Sequence, residues 1–333
     1  MIRSIVNLNI MLFRKLLNIT ILYFIIFGSL HSQVPPFYNK YYNYEYAINP
    51  AITGRDYYPV VNLSHKKYWF GTPGSPYTIC LGGTMRLGTF NFYNPTMMLN
   101  KSNFLSKGRM GLGGFIMHEK DGPLSYLHGS INYAYFIPLD KGRQYLSFGL
   151  SAQLFYYSVN ESLLNPLDKG DERLLHLNDH KCIPEAGFGV YYHNSQLSAG
   201  VSVNDLLLYD VSLTSSDLYK NKRDVFGQLG YKFFLKYFEL EPTVFTALID
   251  ESKMFFSGQL KLYYQRYNWI SACYKSTNTM SYALGFKINR VSAAYVFEHS
   301  VSSMIKYYSC AHEVMLGVNI GLYQAEGLKK IAK

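Results

Sequence analysis

The sequence predicts an all-β fold, a transmembrane antiparallel β-barrel of the outer-membrane type with about 14 strands, within a range of about 12–16. Three observations predict it. Residues 145–156 alternate between an apolar and a more polar face without a break, which is the period of a β-strand. Similar segments recur to residue 323, and many approach the ~9–11 residues that a tilted strand needs to cross a bilayer. A secretion signal precedes them all.

The first element is an N-terminal signal peptide, predicted over residues 1–32. Arg14 and Lys15 precede a largely apolar run over residues 16–30, and Gln33 is the expected first mature residue. The run is too short and too early to predict a transmembrane helix. We therefore expect an exported protein that crosses its membrane with strands.

Residues 33–57 come next and are aromatic, polar and irregular, with Asn49-Pro50 and Gly54 marking a turn. We expect them to form a periplasmic N-terminal lead-in or plug, followed by the barrel over 58–323 and a C-terminal tail over 324–333. The predicted strands lie near 58–67, 77–87, 109–119, 126–138, 144–157, 182–193, 197–204, 225–236, 238–248, 254–265, 268–276, 280–289, 290–299 and 311–323.

The lengths of the connections and the faces of the strands add two expectations. In bacterial barrels both termini face the periplasm and periplasmic turns are short, so the even-numbered connections should be the short ones. The second connection, 88–108, is the clearest exception. On the fifth strand the lipid-facing set is predicted from its more apolar face: Leu146, Phe148, Leu150, Ala152 and Leu154.

Composition supports a surface that meets lipid. Aromatic residues make up 17% of the chain and charged residues only 16%, below the ~25% of a typical globular protein. On composition alone a large soluble β-sandwich remains the alternative. The net charge of +10 suits anionic headgroups or an acidic partner protein. Binding to nucleic acid is not expected, because the basic residues are scattered and no recognised fold accompanies them.

The sequence offers no catalytic, cofactor-binding or metal-binding motif. The pairs His118-Glu119, Glu298-His299 and His312-Glu313 join an acid to a base, but adjacent residues of a strand point to opposite faces. No spacing singles out a nucleophile. The cysteines show no CxxC spacing, and their three possible disulfide pairings stay open; they are Cys80, Cys182, Cys273 and Cys310.

The loop over residues 68–78 combines two prolines and two glycines with a cluster of aromatic residues. Such a loop is compact. It is either an interfacial anchor on a rigid hairpin or a docking patch for a partner protein. The candidate docking residues are Tyr68, Trp69, Phe70 and Tyr77.

Two N-terminal motifs resemble the opening signature of a known family. They comprise Asn49, Pro50, Ala51 and Gly54, and then Trp69, Gly71, Gly74, Ser75, Pro76 and Thr78. Glycine-aromatic motifs continue the likeness through Gly111–Gly114, 146–150, 187–189 and 199–202. The chain thus resembles the PorP/SprF family of type IX secretion system outer-membrane proteins. Tyr68 departs from the pattern, since relatives carry Arg or Gln before the signature Trp.

The resemblance implies a non-enzymatic protein of the Gram-negative outer membrane without cofactors. It would aid the export or surface attachment of a secreted adhesin, or gliding motility. Its partners would be the cargo's C-terminal domain and periplasmic or outer-membrane components of the type IX system, in the lipid bilayer. The alternative is a transporter of the fatty-acid-channel type, which carries hydrophobic or small solutes. Periodicity and the signal peptide predict the barrel independently of the resemblance.

Overall fold

The computed structural model describes residues 44–56, 59–69, 74–87, 108–160, 163, 180–207, 223–249, 253–265, 267–301 and 310–320. The predicted signal peptide and C-terminal tail lie outside these residues, as do residues 88–107. In the described part of the chain, no helix is both long and apolar enough to span a membrane.

Fifteen antiparallel strands make one sheet that closes on itself. Each strand pairs with the next one in sequence except at β8, which pairs with β10 instead of β9. β10 also pairs with β11, and β15 pairs with β1. The strands are β1 (Val60–Tyr68), β2 (Tyr77–Leu87), β3 (Met110–Asp121), β4 (Leu124–Leu139), β5 (Gln144–Val159), β6 (His180–His193), β7 (Leu197–Asn204), β8 (Asp224–Tyr231), β9 (Phe233–Phe234), β10 (Phe238–Ile249), β11 (Lys253–Tyr264), β12 (Asn268–Lys275), β13 (Thr279–Ile288), β14 (Val291–Ser300) and β15 (Ala311–Asn319).

The two-residue β9 pairs only with the start of β10, so the barrel itself has 14 strands. The prediction of an antiparallel barrel of about that size is confirmed. A closed barrel is the arrangement expected in lipid, because it leaves no open strand edge and every strand can pair its backbone. The predicted strand over 225–236 is divided, since β8 ends at Tyr231 and β9 follows separately.

Strand β5 shows how the sequence pattern sets the two faces. Phe148, Leu150 and Leu154 are 37%, 58% and 50% exposed, whereas the alternate Ser147 and Gln153 are buried in the lumen. The predicted lipid-facing set of this strand therefore agrees with the structure. The same alternation continues into its neighbours, because a register without bulges pairs β5 with β4 and β6.

The two ends of the barrel differ in the length of their connections. Val60 of β1 pairs with Asn319 of β15, so the barrel begins and finishes at one end. That end carries the short turns 140–143, 194–196 and 289–290. The opposite end carries the long connections 160–179, 205–223 and 301–310. We assign the first as the periplasmic end and the second as the outer end. The connection 88–109 remains a long one at the periplasmic end.

Residues 44–56 lie inside the barrel. They form the short helix α1 (Glu45–Ile48) and a 3-10 turn (Pro50–Ile52). One side of this lumenal segment packs against Cys80, Phe115, Met117 and Tyr191, and Ile48 packs with Phe226 and Phe245 on the other wall. The main hydrophobic core of the molecule is therefore lumenal, and it is built around the segment.

Candidate functional site

Inward-facing polar side chains hold the lumenal segment by its backbone. Asn49 also turns its amide back on the segment: its Oδ1 accepts from the Ala51 N–H at 3.0 Å, which caps the 3-10 turn. The hydrogen bonds from the wall, given next, likewise satisfy buried backbone groups of the segment that have no partner within its own short helix. The donors from the wall are Asn132 Nδ2 to Tyr46 O at 2.7 Å, Ser147 Oγ to Ala51 O at 2.8 Å, Ser202 Oγ to Ile48 O at 3.0 Å and Asn204 Nδ2 to Ile48 O at 3.3 Å.

Two wall glycines make room for the same turn. A Cβ at Gly149 would overlap the backbone of Pro50 and Ala51, and a Cβ at Gly189 would overlap the side chain of Asn49. The backbone of the segment can approach β5 and β6 only because these positions lack a side chain. The Asn-Pro-Ala motif therefore packs directly against the glycines of β5 and β6, although the two lie far apart in the sequence.

The start of the segment is a pair of buried tyrosines. The Tyr44 hydroxyl donates to Cys80 O at 3.0 Å, and the Tyr44 and Tyr46 rings meet edge to face at 5.9 Å. Burial raises the pKa of both hydroxyls above its usual value, so both rings stay neutral. The segment therefore brings no titrating phenol into the core.

A polar cavity of about 430 Å³ lies between the segment and the periplasmic end. Arg55 faces it and forms an ion pair with Glu45 at 2.6 Å. From the opposite wall come Lys232, 3.6 Å from Glu241, and Lys261. Cationic and anionic groups both line this cavity, which suits a polar ligand or a peptide segment better than an apolar solute.

A second charged cluster lies in the outer half of the lumen. Glu298 Oε2 lies 2.6 Å from Lys275 Nζ and 3.4 Å from Lys66 Nζ, and all three side chains are nearly buried. One carboxylate thus joins β14 to β12 and β1. Such a cluster is sensitive to loss of one member, because the remaining charges would stay buried.

The candidate docking residues that the structure describes do not share one face of the barrel wall. Tyr68 faces the lumen with its ring 4.6 Å from Lys66 Nζ, whereas Tyr77 lies on the outer wall between His65 and His118. Trp69 stands at the loop entrance with a positive φ of 48°, and its N–H donates to Cys310 O at 3.1 Å. Phe70 lies outside the described residues. Of the four, Trp69 keeps the position that the docking hypothesis needs, and the role stays a prediction.

The motif residues divide between two places. Asn49, Pro50 and Ala51 lie in the lumen, as does Gly54, which has a positive φ and packs against Gly111 and Met85. Gly74, Ser75, Pro76 and Thr78 lie at the outer end, and Gly71 lies outside the described residues. Sequence reasoning missed the lumenal donors on β4, β5 and β7. Their signal is present as single polar residues on inward faces, but nothing in the sequence says what they bind.

Within the described part of the chain, no three His, Cys, Asp or Glu side chains are placed to hold a metal ion. The four cysteines are all free thiols in the structure.

Comparison with known proteins identifies the family. A family model described as type IX secretion system membrane protein PorP/SprF matches residues 30–318. The chain belongs to the PorP/SprF family. It is therefore an outer-membrane component of a type IX secretion system, and the resemblance found in its motifs is confirmed. A search of curated proteins returned no match.

Solved outer-membrane barrels are similar to this PorP/SprF protein only in general form. Omp33 of Acinetobacter baumannii is 8% identical with a TM-score of 0.44, covering 80% of this chain and 100% of its own. The CymD monoaromatic hydrocarbon channel is 9% identical with a TM-score of 0.49, over 84% and 93%. The P. putida toluene transporter TodX is 8% identical with a TM-score of 0.44, over 83% and 93%. The fold assignment rests on the strand pairing of this chain itself.

Proposed function

We propose that this protein is a non-enzymatic adaptor of the type IX system that aids the export or surface attachment of a secreted adhesin. Its partners would be the cargo's C-terminal domain at the outer end and periplasmic or outer-membrane components of the system. The observation that carries the proposal is the occupied lumen: side chains of β4, β5 and β7 donate hydrogen bonds to the backbone of residues 44–56. A lumen that is filled by a polypeptide segment favours an adaptor over an open pore.

The alternative is a channel that carries hydrophobic or small solutes. Such a channel needs a continuous path, and for hydrophobic solutes that path should be lined by apolar groups. The cavity at the periplasmic end is instead lined by ionised and amide side chains, among them Arg55, Lys232, Glu241 and Lys261. This lining favours the adaptor over transport of hydrophobic solutes.

The experiment compares a deletion strain complemented with wild type, with Gly149→Val or with Gly129→Val. Valine at Gly149 and the Pro50–Ala51 backbone cannot occupy the same space, so the segment is displaced. Gly129 is the control, because it faces outward and a Cβ there meets only Phe115 O at 3.9 Å. Heat-modifiability on gels measures assembled barrel, and conductance in planar bilayers measures displacement.

We expect Gly149→Val to assemble, to conduct more than wild type and to reduce surface display of the adhesin, while Gly129→Val behaves as wild type. Solute uptake in the same strains tests the alternative. Normal adhesin display together with lost uptake in the deletion strain would favour the transporter. Raised conductance with normal display would show that the lumenal segment does not serve secretion.

A further inference from the structure

In each of the three His–Glu pairs of the sequence, the glutamate faces the lumen and the histidine faces outward. Glu119 and Glu313 are buried in the lumen, where each is 4% exposed, and Glu298 binds two lumenal lysines. Because adjacent residues of a strand point in opposite directions, the neighbouring His118 and His312 face outward. All of these pairs lie near the outer end of their strands.

Outward-facing lysine and histidine residues lie beside one another on neighbouring strands. The strand register places one row of outward residues around the wall, from β14 to β4: Phe297, His312, Lys67, Tyr77, Lys120 and Ser125. His65 and His118 lie in the next row toward the membrane centre, and their rings lie 6.3 Å and 6.0 Å from that of Tyr77. We call His65, Lys67, Tyr77, His118, Lys120 and His312 the outer collar.

No carboxylate shares the outer face with the collar in the described strands β1–β4 and β13–β15. Strands β1, β2, β4 and β13 contain no Asp or Glu at all. The acids of β3, β14 and β15 occupy inward positions, including Asp121 at the rim of β3. The collar therefore places Lys67 and Lys120 on a face of these strands that carries no carboxylate. Two of its histidines also have partners within the barrel wall. His118 Nε2 lies 3.0 Å from Ser125 Oγ, and the ring of His312 contacts the Tyr295 hydroxyl and Cys310 Sγ.

The collar also lies at the edge of the apolar belt. The next outward row toward the membrane centre is Leu63, Leu81 and Ile116, which are 45%, 50% and 59% exposed. At the periplasmic end the same strands carry apolar outward residues and no histidine or lysine, among them Val61, Leu112, Ile137 and Val318. An aromatic anchor alone would serve both interfaces, so the lysines and histidines within the outward strand rows distinguish the outer interface from the periplasmic one.

We propose that the outer collar binds the phosphate-bearing headgroups of outer-leaflet lipids. Lysine ammonium groups and histidine N–H groups are the donors that phosphate oxygens accept from, and the collar holds them at headgroup depth on a rigid wall. Tyr77, between the two lysines in register, keeps their side chains apart across three strands. The collar would then fix the height of the barrel in an asymmetric membrane.

The test uses the purified full-length barrel in phosphatidylcholine nanodiscs doped with phosphorylated lipid A or with dephosphorylated lipid A. Native mass spectrometry measures the lipid that each barrel retains. The double variant Lys67→Gln, Lys120→Gln is matched by Lys236→Gln, Arg290→Gln, which removes the same charge from exposed residues at the periplasmic end. Near an anionic surface each lysine is worth enough that the loss of two should weaken retention about 10- to 30-fold.

We expect wild type and the periplasmic variant to retain phosphorylated over dephosphorylated lipid A, and the collar variant to lose most of that preference. His65→Phe, His118→Phe keeps the ring packing but removes the donors, and should also weaken the preference. Equal retention of both lipids by wild type would overturn the proposal, as would equal losses in the two double variants. Displacement of the lipid by inorganic phosphate at equal concentration would indicate a free-anion site and overturn the lipid assignment. Heat-modifiability reports that each variant is folded.

Discussion

Leu150→Arg tests the assignment of the lipid-facing surface. Leu150 lies near the middle of β5, is 58% exposed and points away from the lumen. Moving an arginine to the lipid face of a barrel at mid-membrane costs about 2–4 kcal/mol. At about 1.4 kcal/mol for each factor of ten, the folding equilibrium in lipid should shift by roughly 30- to 700-fold. Reversible unfolding by guanidinium in lipid vesicles, followed by tryptophan fluorescence, measures this shift.

The matched control is Thr243→Arg. Thr243 lies in the middle of β10 but faces the polar cavity at the periplasmic end, where an arginine finds space and the Glu241 carboxylate. We expect its cost to stay below about 1 kcal/mol, as for other solvated ion pairs. Ser151 is a poorer control, because its hydroxyl is buried against Gln153. If Thr243→Arg destabilises the barrel as much as Leu150→Arg, the reasoning about the two faces is wrong.

Two further substitutions address the outer end. Trp69→Ala should leave the barrel inserted and heat-modifiable but reduce surface display of its partner, since a central tryptophan in an interface is typically worth roughly 2 kcal/mol or more; loss of insertion and display together, in the same cells, would indicate an anchor instead. Glu298→Gln should lower the free energy of unfolding by about 3–5 kcal/mol, because Lys66 and Lys275 would remain buried without their carboxylate. Glu241→Gln in the solvated cavity should cost under about 1 kcal/mol, and equal effects in urea unfolding would show that the outer cluster is solvated too.

The strands could be predicted from the sequence because the physics that sets them is local. Successive residues of a strand point alternately to lipid and to lumen, and the polarity of their side chains shows which face is which. Leu150 and Ser151 are an example. The division of the predicted strand 225–236 at Lys232 could not be read in this way. It depends on where β10 pairs, and that pairing is not local.

The lumenal contacts could not be predicted because they join positions far apart in the sequence. Ser147 and Ala51 are separated by 96 residues, and Ser202 and Ile48 by 154. In the sequence, an inward serine that faces water cannot be distinguished from one that donates to a backbone carbonyl. Tyr68 and Tyr77 of the candidate docking loop point to opposite faces because they follow the alternation of β1 and β2. The docking role of the loop stays a prediction.

The same alternation gives the barrel wall two separate chemistries. On the inner face it places serine, asparagine and glycine against the backbone of residues 44–56, so much of the polar contact to the segment is made to its backbone. On the outer face it places Lys67 and Lys120 toward the headgroups. A change of one inner residue should therefore alter the lumenal segment and leave the membrane contact intact, and a change in the collar should do the reverse. The variants Gly149→Val and Lys67→Gln, Lys120→Gln separate the two because additivity is expected for sites that share no partner.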